Sequence, residues 1–206
     1  MTNNEKILAR LAVAYADVKP ALHYKNAYEL LIAVLLSAQC TDERVNIVTE
    51  QLFAAAPDSF AMVALGEQGI TELIRSCGLY RNKAKNIAAL SAILCERHGG
   101  AVPQTREELE SLPGIGRKSA NVVLSVAFGQ PALAVDTHVF RVSRRLGLSA
   151  GKDVRAVEDD LMAQIPPADW GRAHHWLIFH GRRVCKAQRP DCAHCPVADL
   201  CPQNLA

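Results

Sequence analysis

Apolar residues recur at helical spacing along nearly the whole chain. Ile7, Leu8, Leu11 and Tyr15 share one face of an N-terminal helix. Tyr28, Leu31, Ile32, Leu35 and Leu36 form the next face. The unbroken apolar run Leu30–Leu36 makes that second helix apolar nearly all round, so it belongs at the centre of a core. Further helices are predicted over about 43–54, 59–65, 67–76, 82–98, 106–112, 117–129, 137–146, 153–164 and 170–182. Their ends carry local signals: Gly78, Gly99 and Gly147 stand where helices stop, Pro166–Pro167 ends another, and Thr105 with Glu108 reads as a capping box. Strand signals are nearly absent, since aromatics are 5% and no stretch alternates apolar and polar residues between turns. The pattern predicts an all-α protein.

Composition sharpens this picture. A chain of 206 residues allows one domain or two small lobes, and the composition shifts at Gly129–Gln130–Pro131. With half the residues apolar and 21% charged, it is neither disordered nor fibrous. A formal charge of +2 and a pI near 8.2 are too mild to announce a nucleic-acid partner. Any such claim rests on where the charges sit. The seven residues Leu30–Leu36 are the longest apolar run, far below the ~20 that cross a membrane. The opening residues also lack the charged-then-apolar order of a signal peptide, so a cytoplasmic protein with no membrane partner is expected.

Four of the seven cysteines, Cys185, Cys192, Cys195 and Cys201, form a C-x6-C-x2-C-x5-C string; Cys40, Cys77 and Cys95 lie apart in apolar segments and read as small core residues. Clustered thiols in a reducing compartment hold a metal. Zinc sites of four cysteines favour two close pairs, whereas this string has one, so the spacing prefers an iron–sulfur cluster and leaves zinc open. The loop is too short for a core of its own, and the metal must order it.

Leu112-Pro113-Gly114-Ile115-Gly116-Arg117-Lys118 joins two predicted helices through a hairpin with two glycines. Gly114 and Gly116 permit positive φ and close backbone approach, and the N-terminus of the following helix opens from the turn. Such an end suits an anion, and a phosphate backbone is the obvious one. A second basic feature lies between Gly171 and Pro190, where Arg172, Arg182, Arg183, Lys186 and Arg189 occur with no acid, and Arg141, Arg144 and Arg145 form another group.

Taken together, these residues resemble a known family. The hairpin at 112–118 is similar to the helix-hairpin-helix of the DNA glycosylase superfamily. Val135-Asp136-Thr137-His138 is similar to the segment carrying that superfamily's aspartate, and the cysteine spacing resembles the iron–sulfur loop of its endonuclease III branch. Leu35-Leu36-Ser37-Ala38-Gln39, Gly78-Leu79-Tyr80 and His175-Trp176-Leu177 match as well, so the likeness spans about residues 5–203 and the chain is identified as a member of that branch.

The resemblance implies a two-lobed all-α fold. One lobe is a helical barrel over about 21–130 containing the hairpin (about 105–129), and the other joins 1–20 to 131–206 and carries a [4Fe-4S] cluster on Cys185, Cys192, Cys195 and Cys201. The implied partner is duplex DNA with damaged bases or abasic sites, bound by a monomer. The implied activity is removal of oxidised pyrimidines followed by strand cleavage 3′ to the abasic site. Lys118, at a helix start that favours the neutral amine, is the expected nucleophile. Asp136 reads as a helix N-cap whose carboxylate also stabilises positive charge on the sugar and accepts the proton of the amine. Gln39 and Leu79 are implied as the pair filling the gap left by an extruded base, with Ser37 and Asp42 nearby as pocket residues. Gly114, Gly116, Arg117, His138, Arg141, Lys186 and Arg189 are expected at the DNA. One residue departs from the family pattern: Asp191 stands in a stretch that is generally basic, weakening the loop's share of binding. Two rivals, an adenine-mismatch glycosylase and a non-catalytic DNA-binding iron–sulfur sensor, both lack a use for Lys118.

Overall fold

A computed structural model describes residues 1–203. Among the described residues α-helices succeed one another in this order: α1 (Asn3–Ala14), α2 (Ala27–Leu36), α3 (Asp42–Ala55), α4 (Ser59–Leu73), α5 (Tyr80–His98), α6 (Arg106–Glu110), α7 (Arg117–Phe128), α8 (Thr137–Arg145), α9 (Val154–Gln164) and α10 (Trp170–Arg183). Short 3-10 turns lie at Pro167–Asp169, Cys192–His194 and Ala198–Leu200, and no strand occurs among the described residues. The chain forms two compact units, Pro20–Gly129 and Met1–Lys19 together with the chain from Gln130 on. Among the described residues, no helix is long and apolar enough to cross a membrane.

In the unit Pro20–Gly129, α2 is central, with Tyr28 through Leu36 buried on every side. It packs against α3, α5 and α7, while α4 lies on α5 and α6 on α7. In the other unit, α10 packs on α1 and α8. Ile7, Leu11 and Tyr15 of the N-terminal segment share a core with Val139, Val142, Leu177 and Val197. The amphipathic face of α1 is thus satisfied by helices from the far end of the chain.

Some boundaries differ from the expectation in informative ways. The two helices expected on either side of residue 66 are present within Ser59–Leu73, divided by the non-helical backbone of Gly66 (φ 71°, ψ 167°), and the second ends at Leu73, earlier than expected. Gly99 (φ 59°) and Gly147 (φ 73°) adopt the left-handed geometry that ends helices. Gly78 does not: α4 has already ended at Leu73, and a Cβ on Gly78 would stand 3.0 Å from the Gln39 carbonyl oxygen. Its role is close approach between two loops. Thr105 caps α6 by accepting from Glu108 N, but its hydroxyl donates to the Glu108 carboxylate, which therefore does not close the reciprocal box onto the backbone. The complete box is at Thr2 and Glu5.

Candidate functional site

The hairpin is held by its apolar residues. Leu109, Leu112 and Ile115 are buried beneath it, and Ala120, Val123 and Leu124 bury one face of α7. Gly114 (φ 81°) packs so tightly that a Cβ would meet the Asn86 side chain at 2.7 Å and Leu35 at 3.1 Å. Gly116 differs from its expected role: at φ −101° it is ordinary extended backbone, serving as the N-cap of α7, with open space where a Cβ would be. No side chain caps this helix start. Arg117 and Lys118 are its first two residues, both half-buried, and Arg117 faces Glu110 across the hairpin at 3.9 Å. A lysine here sits at the positive end of the helix dipole.

Gln39 and Leu79 occupy facing loops in the same unit. Each is a non-glycine residue in the left-handed region, at φ 54° and φ 58° respectively, and Arg189 (φ 50°) is the third such residue among those described. Positions of this kind cost about 1–3 kcal/mol and persist only where the surroundings hold them. Part of that hold is Lys83, a buried residue in the first turn of α5. Its ammonium donates to Leu36 O at 2.9 Å and to Ala38 O at 2.6 Å, the carbonyls that end α2 just before Gln39. Burial lowers the Lys83 pKa, opposed by the nearby Cys77 and Cys40. Lys83→Met is expected to lose about 1–3 kcal/mol by leaving these carbonyls without that donor, measured as a lower urea midpoint at unchanged slope; an unchanged midpoint refutes the clamp. Leu79 itself projects 57% exposed. Ser37 donates to Val34 O at 2.7 Å, and Asp42 opens α3.

In the other unit, Asp136 is the N-cap of α8. One carboxylate oxygen accepts from both His138 N and Val139 N at 2.8 Å, and the other lies 3.2 Å from the His138 ring. Burial pushes the Asp136 pKa up, but the Val139 amide and the nearby His174 and His138 outweigh it, and the net shift is downward from 3.8. The carboxylate is therefore fixed and ionised. His174, buried, donates to Ala134 O at 2.7 Å, and His175 donates to Gly171 O at 2.8 Å, so each spends a ring nitrogen on the main chain.

Cys185, Cys192, Cys195 and Cys201 line one cavity with Arg145, Leu146, His180, Val184 and Ala198. No group of three or more His, Cys, Asp or Glu side chains among the described residues is arranged around a single ion. Four thiols bordering a shared space suit a polynuclear cluster better. Burial first, then the neighbouring thiols, raises the Cys195 and Cys201 pKa values, so a bound polycation is what stabilises four thiolates together.

Arg141, expected at the DNA, and Arg145, of the same basic group, brace this loop. Arg141 donates to Gly181 O at 2.9 Å and Cys185 O at 3.1 Å, and Arg145 to Lys186 O at 2.7 Å and Ala187 O at 3.1 Å. Lys186 and Arg189 are exposed. The carboxylate of Asp191 accepts from the His194 ring at 2.8 Å, so its charge is directed within the loop. Sequence reasoning missed Lys83, the place of His180 beside Cys195 and the bracing role of Arg141 and Arg145; only tertiary placement reveals them.

Comparison with known proteins places this geometry in a class. Residues 32–167 match the model of the HhH-GPD superfamily base excision DNA repair protein, and residues 185–201 match the iron-sulfur binding domain of endonuclease III. Endonuclease III of Bacillus subtilis (strain 168) is 52% identical over 203 residues, covering 97% of this chain and 92% of that protein. The Escherichia coli (strain K12) endonuclease III is 47% identical over 196 residues, covering 95% and 93%. A solved structure of a trapped endonuclease III–DNA covalent intermediate superposes with a TM-score of 0.93 at 49% identity, covering 99% of this chain and 98% of that one. The chain belongs to the endonuclease III family within the HhH-GPD base-excision DNA repair proteins. Its cofactor is an iron–sulfur cluster, and the four thiols lining one cavity are the residues fitted to hold it.

Proposed function

We propose that this chain is a bifunctional DNA glycosylase and AP lyase that removes oxidised pyrimidines from duplex DNA, with a [4Fe-4S] cluster on Cys185, Cys192, Cys195 and Cys201. The observation that carries the reading is an amine, Lys118, at the uncapped start of α7 directly after the hairpin. The similar protein trapped as a covalent DNA intermediate supports nucleophilic chemistry of this kind. In the proposed reaction the Lys118 nitrogen attacks C1′ of the nucleotide, the glycosidic bond breaks and the base departs. The amine's proton passes to Asp136. The C1′–O4′ bond of the sugar ring then opens, O4′ regaining a proton from the Asp136 carboxyl, and leaves a protonated Schiff base between Lys118 and C1′; this acidifies C2′–H, and loss of that proton breaks the C3′–O bond so that the 3′ phosphate leaves.

The remaining residues serve this reaction. Asp136, ionised, offsets positive charge developing on the sugar. Gln39 and Leu79 fill the space of the extruded nucleotide, and their strained backbones hold them ready to do so. Gly114, Gly116 and Arg117 receive phosphate at the hairpin, His138 lies beside the reacting sugar, and Lys186 and Arg189 contact the backbone. Arg141 acts through the loop it braces. The cluster orders this loop. A panel of duplexes carrying single defined lesions tests the reading. Oxidised pyrimidines should be excised with strand cleavage 3′ to the site, and a panel in which only mismatched adenine is released overturns it.

Asp136→Asn separates the two roles of that residue. Asparagine is as good an N-cap as aspartate, so stability should change by less than ~1 kcal/mol. Base excision should fall by about a hundredfold or more for want of the charge. Single-turnover kinetics beside thermal melts checks this, and full activity in the variant removes the carboxylate from the mechanism. Because the folded pKa is lowered from 3.8, the charge contributes stability above that value and the contribution fades as pH falls through the depressed value.

A further inference from the structure

We propose that His180, oriented by Tyr15, donates a hydrogen bond to the Cys195 sulfur and thereby helps to set the reduction potential of the iron–sulfur cluster. His180 lies in α10 and is fully buried. Its Nδ1 is 3.0 Å from the Tyr15 hydroxyl, and its Nε2 is 3.8 Å from Cys195 Sγ. The two rings meet edge to face, with centroids 5.8 Å apart and planes at 72°.

The direction of the hydrogen bonds follows from the chemistry of the ends. A cysteine sulfur bound to iron carries no proton and can only accept. Nε2 must therefore be the donor. A neutral imidazole has one N–H, so Nδ1 is bare and accepts from the Tyr15 O–H. Tyr15 thus selects the tautomer that serves the sulfur.

The tyrosine is itself well placed to hold this geometry. It is the C-cap of α1, and α1 grips the cysteine loop at two further points. Arg10 reaches both Asp199 carboxylate oxygens at 2.5 and 3.1 Å, and Asn3 donates to Leu200 O at 3.0 Å. Cys185 has a donor too, Arg145 at 3.7 Å, but that guanidinium also serves two carbonyls and lies nearer solvent. The four sulfurs are therefore inequivalent, and Cys195 has the dry, singly directed donor. A hydrogen bond to a ligand sulfur favours the cluster state with more negative charge, and its removal lowers the potential. Base excision needs no electron, so nothing in the proposed reaction explains this arrangement.

The test uses holoprotein of the wild type and of Tyr15→Phe, His180→Leu and His180→Gln, each assayed for iron content and for potential by protein-film voltammetry. Fully loaded His180→Leu should have a more negative potential, by a roughly three- to tenfold change in the equilibrium, at most ~59 mV for a one-electron couple. Tyr15→Phe should shift the same way by less. His180→Gln, which keeps an N–H donor, should return toward the wild-type value. A wild-type potential in fully loaded His180→Leu overturns the proposal. Should that variant fail to take up iron, an unchanged potential in loaded Tyr15→Phe overturns it equally. A merely structural role for His180 would change iron content and leave the potential of the loaded fraction where it was.

Discussion

Lys118→Ala is expected to abolish borohydride trapping on abasic duplex DNA and to reduce strand cleavage by at least about a thousandfold. The size of the effect follows from the reaction: without the amine there is no Schiff base for borohydride to reduce and no iminium to acidify C2′–H. The fold should be undisturbed. Lys118 is the second residue of α7, where a cation opposes the helix dipole and alanine is the better helix former, and both effects offset the loss of the side chain's own contacts. Loss of activity with an unchanged or raised melting temperature therefore isolates chemistry from folding. Lys83 cannot substitute, since its ammonium is buried against the carbonyls of Leu36 and Ala38. DNA binding should survive, because the phosphate contacts proposed for the hairpin do not require this side chain. A variant that still yields the covalent adduct at the wild-type rate would assign the nucleophile to another residue, and a wild type that neither traps nor cuts would remove the enzyme reading altogether.

What could be read from the chain in advance divides by sequence distance. The helices, the hairpin and the cysteine string are local patterns, and the chain has helices where the periodicity placed them. The Thr105 box failed on a local detail, the choice of Glu108 between a hydroxyl and a backbone N–H, which sequence does not encode. Gly78 looked like a helix stop because glycines usually are; its reason lies in a loop almost forty residues earlier, at Gln39. Gln39 and Leu79 enter only through resemblance and Arg189 through the basic stretch, yet all three share a left-handed backbone that no single-residue propensity suggests for glutamine, leucine or arginine. Lys83 and His180 were invisible for the same reason. A lysine four residues past a loop and a histidine in an amphipathic helix acquire their meaning from α2 and α1, which contact them across 47 and 165 residues of chain.

The cysteine loop leads to the other large effect. Cys192→Ser is expected to give colourless or iron-poor protein, to lose about 4 kcal/mol of stability and to weaken DNA binding by a hundredfold or more, while Cys95→Ser keeps its iron. Between Cys185 and Cys201 the chain has two three-residue 3-10 turns and no α-helix, so it has little structure to stand on without its metal. What it does have are contacts that depend on its position: Val197 is buried in the core with Ile7 and Leu11, and Arg10 and Asn3 reach its far end. Once one ligand is lost and the cluster with it, the remaining thiols have no cation to gather around. Val197 then leaves the core, and the loss propagates to α1. The exposed Lys186 and Arg189 would no longer be presented in fixed positions, which removes phosphate contacts and should flatten the salt dependence of binding. Affinity measured across a salt series, with iron content determined on the same samples, reads both consequences. Full affinity and an unaltered salt slope in iron-free protein would mean that the cluster orders nothing the DNA uses.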